Sequence, residues 1–272
     1  MSRLINVADF HLAATLLCGQ AFRWEQQPDG WFEGVVGRRV VRIRQVGQML
    51  EGDDLTHYLA LDASLPAIVA TFPPDEALQV AVRQHWGMRV VRQEPWETLA
   101  SFIASSTKQI VQIRQIVREL SQRFGEPIDG THFAFPNPAV IAAASEAQLR
   151  ACKLGFRAPY VLAAARAIDS GALDLAGLAR RDYDDALAEL TKLRGVGEKI
   201  AACTLLFGCG FHQAFPIDVW VERSLRRLYF PRRKRTPRQL REFARRHFGP
   251  HAGWAQQYLF FSERTRKPNT NP

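Results

Sequence analysis

The first third of the chain alternates apolar and polar residues, whereas the rest repeats apolar residues at helical spacing. Val40-Val41-Arg42-Ile43-Arg44 follows a turn signal at Pro28-Asp29-Gly30, which is typical of antiparallel strands with one solvated face. From Pro95 onward the apolar residues recur every three or four positions. This pattern predicts an α+β protein in which an N-terminal antiparallel β-sheet domain, residues 1–90, packs on a mostly α-helical body, residues 91–272.

Prolines and small polar residues predict where the helices begin and end. Pro66 and Pro73-Pro74 are expected to break short helices, and Ser105-Ser106-Thr107 to cap the helix that follows. Lys267–Pro272 is expected to fray. The later helices are predicted at 183–192, from 198, and at 218–229, 237–247 and 252–263.

Composition indicates a polyanionic partner. The 272 residues carry a net charge of +9, and 47% of them are hydrophobic. An excess of basic residues favours binding to phosphates, although many basic proteins bind no nucleic acid. The sequence has no apolar run of about 20 residues, which predicts no membrane contact, and no signal peptide, which predicts a cytoplasmic, nucleoid-associated location. Four cysteines without a CxxC pair predict neither a zinc site nor an iron–sulfur cluster, and we expect no cofactor.

The segment Leu193-Arg194-Gly195-Val196-Gly197-Glu198-Lys199 lies between two predicted helices. Two glycines around a valine allow a tight turn with positive φ, and the free N–H groups of the following helix favour an anion. We therefore predict a helix-hairpin-helix unit at about 183–208, with Gly195, Val196 and Gly197 against a DNA phosphate. A plain turn between two helices is the alternative.

Lys199 falls in the first turn of the second helix of this unit, and Cys203 and Phe207 follow at i+4 and i+8 on the same face. The field of a helix N-terminus disfavours the ammonium form and thereby favours a neutral, nucleophilic amine. A surface lysine above two core residues fits the spacing equally well.

Asp218 follows Pro216-Ile217, in a position to cap the helix that starts at Val219. An N-cap is the more common role for such an aspartate, but a carboxylate near Lys199 would also stabilise a cationic sugar. Gln256 and Phe260 lie at i and i+4, so an amide and an aromatic ring share one face, which suits an everted base. A core role for Phe260 is the alternative.

Leu193–Lys199 followed by Pro216-Ile217-Asp218-Val219 resembles the helix-hairpin-helix DNA glycosylase superfamily, and in particular the 8-oxoguanine DNA glycosylases. The resemblance extends over nearly the whole chain. Further segments that match the family, in the same order along the chain as in its members, are residues 18–24, 92–106, 154–158 and 253–256. It implies a bifunctional glycosylase and abasic-site lyase that excises 8-oxoguanine from double-stranded DNA, acting as a monomer.

The resemblance also implies roles for individual residues. Lys199 would attack C1′ and form a Schiff base, and Asp218 would be the essential carboxylate. The Gly19 carbonyl would accept the N7–H of the lesion. Gln256 would read its Watson–Crick edge. The remaining pocket residues implied are Cys203 and Phe260, which would sandwich the base, with Phe207 beside them.

Other implied positions contact the DNA outside the pocket. Arg157 would contact the orphaned cytosine. A structural monovalent or divalent cation would bind carbonyls of the hairpin at Thr191, Leu193 and Val196.

The resemblance also places Thr107, Lys108, Phe156 and Trp220 against the DNA, and three of these positions depart from the eukaryotic pattern. Thr107, followed by Lys108, stands where those enzymes have an asparagine that fills the gap left by the lesion. Trp220 replaces a histidine, and Phe156 replaces a tyrosine. We therefore expect a bacterial variant that keeps the chemistry and relaxes the choice of opposite base.

Basic residues are concentrated after Asp218, between Arg223 and Arg246. They predict a surface that follows DNA phosphates, although a solvated helix face is the usual role of such a run. Two other functions remain open. A monofunctional alkylpurine glycosylase would need Asp218 but no Lys199, and a non-catalytic helix-hairpin-helix module would need neither. An enzyme like endonuclease III is disfavoured by the absence of its cysteine cluster.

Overall fold

A computed structural model describes residues 3–266. The predicted frayed tail, Lys267–Pro272, lies outside the described residues. The N-terminal region forms a five-stranded antiparallel sheet in the order β1-β5-β4-β3-β2. Its strands are β1 (Arg3–Asn6), β2 (Trp24–Gln26), β3 (Phe32–Val36), β4 (Arg39–Val46) and β5 (Met49–Gly52). Three consecutive hairpins join β2 to β5, and β1 pairs with β5 at the edge.

Strand β4 shows why one face of this sheet is exposed to solvent. Val41 and Ile43 are buried, whereas Arg42 between them is exposed. Side chains alternate across a strand, so one face packs on the apolar core and the other meets water. The predicted sheet is confirmed.

Thirteen α-helices are found in residues 3–266, most of them in the second part of the chain, and they confirm the predicted helical body. They are α1 (Leu12–Leu17), α2 (Leu65–Val69), α3 (Glu76–Gln84), α4 (Pro95–Ala104), α5 (Ile110–Phe124), α6 (Pro138–Ala143), α7 (Glu146–Leu149), α8 (Ala158–Asp169), α9 (Tyr183–Thr191), α10 (Glu198–Cys209), α11 (Val219–Tyr229), α12 (Pro237–His247) and α13 (Ala252–Thr265). None of the described helices is long and apolar enough to span a bilayer.

Two predicted helix boundaries are wrong. Pro66 does not break a helix but lies in the first turn of α2, where a missing N–H leaves no helical hydrogen bond unmade. Gln109, rather than Ser105-Ser106-Thr107, caps α5. Thr107 takes a left-handed φ of 55°, and the Lys108 N–H donates to the Ser105 carbonyl. The three small residues therefore form a tight turn between α4 and α5.

The described residues enclose two apolar cores. One lies under the sheet and includes Trp24, Phe32 and Leu50. The other fills the helical body, and α2 and α3 contribute to it with residues such as Ile68 and Leu78, although they precede residue 91. Helices α10 and α4 pack closely together, as do α13 and α11. This packing brings residues of the loop after α1 and of helices α10 and α13 to one cavity.

Candidate active site

The hairpin between α9 and α10 turns as the sequence predicts, but only one of its glycines takes positive φ. Gly195 has φ of 83°, and a Cβ there would lie 2.3 Å from Cγ of Tyr160. Gly197 is the N-cap of α10 with φ of −89°. No side chain among the residues that the structure describes caps this helix, so its first N–H groups are free to bind an anion.

Lys199 is half-buried in the first turn of α10. Its Nζ donates to Ser105 Oγ at 3.2 Å and lies 5.1 Å from the centre of the Phe102 ring. Cys203 and Phe207 lie on the same helix face and line the same cavity as Lys199. Burial raises the pKa of the Cys203 thiol to about 11, although the Lys199 charge opposes the shift. The thiol is therefore neutral near pH 7 and acts as part of the wall.

Asp218 occupies the position that each of its two predicted roles requires. Its Oδ1 accepts hydrogen bonds from the N–H groups of Trp220 (3.0 Å) and Val221 (2.8 Å), so it caps α11. The same carboxylate lines the cavity that contains Lys199. Burial raises the pKa of Asp218, while the Val221 N–H and the Lys199 charge lower it. Burial is the larger effect, so ionised Asp218 is energetically unfavourable in the protein without bound DNA.

One cavity of about 880 Å³ is lined by all seven residues predicted for the pocket and its chemistry. Lys199 and Asp218 line it together with Gly19, Cys203, Phe207, Gln256 and Phe260. Thr107, Lys108 and Trp220, which were predicted to contact DNA, also line it. The volume is in the range of small-molecule pockets and can hold a purine.

Gly19 lies where the loop after α1 meets the cavity. Its φ is 87°, and an added Cβ would come within 2.7 Å of Ile110 Cδ1. Gln257 Nε2 donates to the neighbouring Cys18 carbonyl at 3.2 Å, which ties this loop to α13. Backbone rather than side chain therefore forms this part of the wall, and a ligand can approach it closely.

Gln256 projects from α13 and is only 4% exposed. Its Oε1 has no hydrogen-bond partner among residues 3–266. An unpaired buried amide oxygen is unfavourable by about 1–3 kcal/mol, so this oxygen is well suited to accept a hydrogen bond from a bound ligand. Phe260, one turn further along α13, is half-buried and offers its ring to the same space.

Phe156 and Arg157 lie outside the cavity, in the turn before α8. Phe156 is 54% exposed, whereas Arg157 is buried and stacks on it with its Cζ 4.2 Å from the ring centre. Arg157 donates to the Ser106 carbonyl and to Thr107 Oγ1, the latter at 2.7 Å. In the free protein Arg157 therefore holds the Thr107 turn in place. Its contact with an orphaned cytosine stays a prediction.

Several cavity residues were not identified from the sequence. Phe102 and Ser105, on and after α4, contact the Lys199 amine. Ile110 packs against Gly19, and Arg264 lines the cavity from α13. Arg264 could have been found, because it follows Gln256 and Phe260 at the same four-residue spacing. The α4 residues carry no comparable local signal.

Two groups of basic residues after Asp218 have different surroundings. One group lines a groove of about 920 Å³ that shares Val219 with the cavity, and it comprises Arg223, Arg226, Arg227, Arg232, Arg233 and Lys234. In the other group, on α12, Arg241 pairs with Glu198 and Arg245 with Asp184. The basic residues of the groove are therefore the ones that adjoin the cavity.

No cluster of three or more His, Cys, Asp or Glu residues that could hold a metal ion is found in the described part of the chain. A cation at the hairpin would need backbone carbonyls. The predicted carbonyl set of Thr191, Leu193 and Val196 stays a prediction. The Leu193 carbonyl already accepts from the Val196 N–H at 3.0 Å.

Comparison with known proteins agrees with this geometry. Residues 3–99 match the model of the 8-oxoguanine DNA glycosylase N-terminal domain, and residues 100–250 that of the HhH-GPD superfamily base excision DNA repair proteins. The N-glycosylase/DNA lyase OGG1 of Arabidopsis thaliana is 31% identical over an alignment of 285 residues, which covers 93% of this chain and 77% of the plant protein.

Two solved structures are similar over almost their full length. The 8-oxoguanine glycosylase/lyase of Clostridium acetobutylicum, in complex with double-stranded DNA containing cytosine opposite 8-oxoguanine, has a TM-score of 0.88 at 29% identity, and the match covers 96% of this chain and 97% of that one. MBOgg1, in complex with a low affinity DNA ligand, has a TM-score of 0.92 at 33% identity, with 97% and 95% covered.

Fold and cavity together define a helix-hairpin-helix protein of base excision DNA repair. Both family models match in the expected order and together span residues 3–250. The chain belongs to the HhH-GPD superfamily of base excision DNA repair proteins, in its 8-oxoguanine DNA glycosylase branch. The family resemblance predicted from the sequence is thereby confirmed.

Proposed function

We propose that this protein is a bifunctional DNA glycosylase and abasic-site lyase that excises 8-oxoguanine from double-stranded DNA. The observation that carries the proposal is the single cavity in which the Lys199 amine, the Asp218 carboxylate and the unpaired Gln256 amide oxygen meet. Relatives named N-glycosylase/DNA lyase in Arabidopsis thaliana and Saccharomyces cerevisiae support it at 31% identity each.

The cavity offers what an everted oxidised guanine requires. Cys203 and Phe260 provide apolar surfaces for the two faces of the base, and Gln256 provides donors and an acceptor for its Watson–Crick edge. The Gly19 carbonyl would accept the N7–H, which undamaged guanine lacks. Eversion costs a few kcal/mol of stacking, and these contacts offset it.

Lys199 Nζ, once deprotonated, attacks C1′ of the everted nucleotide. The C1′–N9 bond breaks and its electron pair leaves with the base. The Asp218 carboxylate stabilises the positive charge that develops on the sugar. Ring opening and loss of a proton then give an imine between Lys199 and C1′. Removal of a proton from C2′ expels the 3′ phosphate and cuts the strand.

The DNA would bind across the face that carries the cavity mouth. The free N–H groups at the start of α10, beside Gly195, Val196 and Gly197, would hold one phosphate. Thr107 and Phe156 would enter the duplex near the everted base, with Arg157 supporting them. We further propose that the enzyme works as a monomer on nucleoid DNA in the cytoplasm.

The test is to incubate the protein with duplex DNA containing 8-oxoguanine opposite cytosine and to add borohydride, which reduces the imine to a stable link. We expect a covalent adduct in the wild type and none in Lys199→Gln. The matched control is Lys192→Gln, which removes an exposed lysine that pairs with Glu189 on α9 and should leave the adduct unchanged.

The other outcomes separate the alternative functions. Base release that persists unchanged in Lys199→Gln would indicate a monofunctional glycosylase. Absence of base release from 8-oxoguanine in the wild type would contradict the proposed function altogether.

A further inference from the structure

Helix α13 presents a stripe of three different side chains to the cavity. Gln256, Phe260 and Arg264 are spaced four residues apart, and all three line the same space. Eight residues of helix span about 12 Å, so the amide and the guanidinium lie at opposite ends with the aromatic ring between them. Gln256 and Phe260 have roles in the proposed function, whereas Arg264 has none.

Arg264 is placed directly beside Gly19. Its Nη1 lies 3.4 Å from the position that a Gly19 Cβ would take. The same atom donates to the Leu17 carbonyl at 3.4 Å, a long hydrogen bond, and this is the one hydrogen bond found for Arg264 in the described part of the chain. Its Cζ lies 6.0 Å from the centre of the Phe260 ring. Most of the five guanidinium donors therefore remain available inside the cavity.

A guanidinium can only donate, so its ligand must carry an acceptor oxygen or nitrogen. Partial burial disfavours the charged form and lowers the pKa of Arg264, yet an arginine stays protonated in proteins. A charge held in this position against apolar walls interacts strongly with an acceptor.

The stripe orients a bound base. If the Watson–Crick edge faces Gln256 and one face of the base lies on Phe260, the five-membered ring is directed toward Gly19 and Arg264. In oxidised guanine that ring carries N7–H and the C8 carbonyl, while O6 belongs to the edge that faces Gln256. The acceptor nearest to Arg264 is then O8, the atom that oxidation adds.

We propose that Arg264 donates a hydrogen bond to O8 of the everted base and so recognises the oxidation itself. This inference rests on the proposed function, because it needs 8-oxoguanine in the cavity. Gly19 would detect the added proton at N7, and Arg264 the added oxygen at C8. Undamaged guanine has a C–H at this position and offers Arg264 no acceptor there.

The test compares Arg264→Met with Arg266→Met, an exposed arginine at the end of the same helix that pairs with Glu263. Single-turnover excision of 8-oxoguanine should fall roughly 10- to 100-fold in Arg264→Met, the range for a lost hydrogen bond to a charged group. It should stay within about twofold in Arg266→Met, since Arg266 itself is exposed, its contact with Glu263 is long at 3.7 Å, and Glu263 keeps its closer ion pair with Arg227. Melting temperatures near that of the wild type establish that both variants fold.

A second measurement distinguishes the base from the DNA backbone as the ligand of Arg264. The affinity for a duplex with a tetrahydrofuran abasic analogue, which has no base, should be the same in Arg264→Met and the wild type. If Arg264→Met instead binds this duplex roughly 10- to 100-fold more weakly than the wild type does, the proposal is overturned and Arg264 contacts a phosphate. Unchanged excision in Arg264→Met would overturn it as well.

Excision of 8-oxoguanine by the wild type distinguishes a failure of the proposed function from a failure of the role proposed for Arg264. If the wild type does not excise 8-oxoguanine, the proposed function fails. If the wild type excises it and Arg264→Met does so equally well, only the role of Arg264 fails.

Discussion

Asp218 combines a structural role with the chemical role that we propose for it. Its Oδ1 caps α11, and its burial beside Lys199 raises its pKa. A carboxylate whose pKa is higher in the folded than in the unfolded protein destabilises the fold when ionised. This contribution is absent well below the ordinary pKa of 3.8, grows as the pH rises through 3.8 to the raised value, and is constant above it.

Asp218→Asn should therefore be more stable and less active than the wild type. Asparagine caps helices as well as aspartate does, so the cap is kept while the buried charge is lost. We expect a higher melting temperature at pH 7.5, and a difference that shrinks as the pH falls toward 4. Base release should drop about 100- to 10,000-fold.

Asp182→Asn is the matched control, because Asp182 is an exposed N-cap whose side chain makes no capping hydrogen bond. It should change neither stability nor activity. A lower melting temperature for Asp218→Asn at pH 7.5 would contradict the destabilising role of the buried carboxylate.

Gly19→Ala tests the backbone wall of the cavity. The new Cβ would meet Ile110 Cδ1 at 2.7 Å, and φ of 87° is strained for alanine. We expect the affinity ratio between duplexes containing 8-oxoguanine and guanine, measured in Lys199→Gln protein, to fall roughly tenfold, the effect of one hydrogen bond.

Gly30→Ala separates strain from recognition. Gly30 has nearly the same φ, 83°, but nothing lies within 4 Å of its Cβ position. This variant should lose only the stability that the strained φ costs, about 1–2 kcal/mol, and keep the affinity ratio. An unchanged ratio in Gly19→Ala would remove the role proposed for the Gly19 carbonyl.

At the scale of elements, the segment between α11 and α12 extends the site with positive charge. Within the groove, Arg226 pairs with Glu222 and Arg227 with Glu263. Arg232, Arg233 and Lys234 form no ion pair with a described residue. Charges that are free and lie next to the cavity mouth are suited to DNA phosphates.

Replacing Arg232, Arg233 and Lys234 together by glutamine should reduce the salt dependence of DNA binding. Each lost phosphate contact lowers the slope of log K against log salt concentration by about 0.9, so three contacts would lower it by about 2.7. The measurement is the dissociation constant of a lesion duplex over a range of KCl concentrations. Single-turnover excision at saturating enzyme should be unaffected, since the cavity is intact.

The control replaces three arginines that form ion pairs away from the groove, Arg38, Arg39 and Arg83, and changes the net charge equally. Its slope should match the wild type. Equal slopes for both triple variants would show that the groove acts only through the overall charge of the protein.

At the scale of the whole molecule, buried hydrogen bonds tie the loop after α1 to residues 89–91, where Val90 packs in the core of the helical body and Val91 in the core under the sheet. Gln20 is fully buried, and its Nε2 donates to the carbonyls of Thr15 (2.8 Å) and Arg89 (2.7 Å). Its Oε1 accepts from the Val91 N–H at 3.0 Å. The network lies directly beside Gly19, so the same contacts that join the two cores also position the cavity wall.

Gln20→Met should lower the free energy of unfolding by roughly 2–5 kcal/mol, because buried backbone groups lose their partners. Urea unfolding followed by circular dichroism and tryptophan fluorescence measures this, and the two signals should change together. Gln26→Met, on an exposed edge strand, should stay within about 0.5 kcal/mol of the wild type. Separate transitions in the wild type would show that the two cores unfold independently.

Much of the secondary structure follows from local sequence alone. The alternation at Val41–Arg44 and the helical period after Pro95 report which face of each element is buried, and that pattern is written into consecutive residues. The start of α5 was not predictable, because Ser105, Thr107 and Gln109 are all able to cap a helix. Arg157, which is about 50 residues away in sequence, donates hydrogen bonds to Ser106 and Thr107. These bonds hold the two residues in the turn, and α5 starts only after it.

Most helices and strands, the hairpin, the cap at Asp218 and the shared face of Lys199 and Cys203 follow from local sequence, because each depends on residues a few positions apart. Which segments share a cavity depends instead on tertiary packing. Gly19, Lys199 and Arg264 meet because α10 packs on α4, and α13 closes over the loop after α1 through Gln257. Contacts of this kind depend on how whole elements bury their apolar faces, and no local pattern in the chain records that.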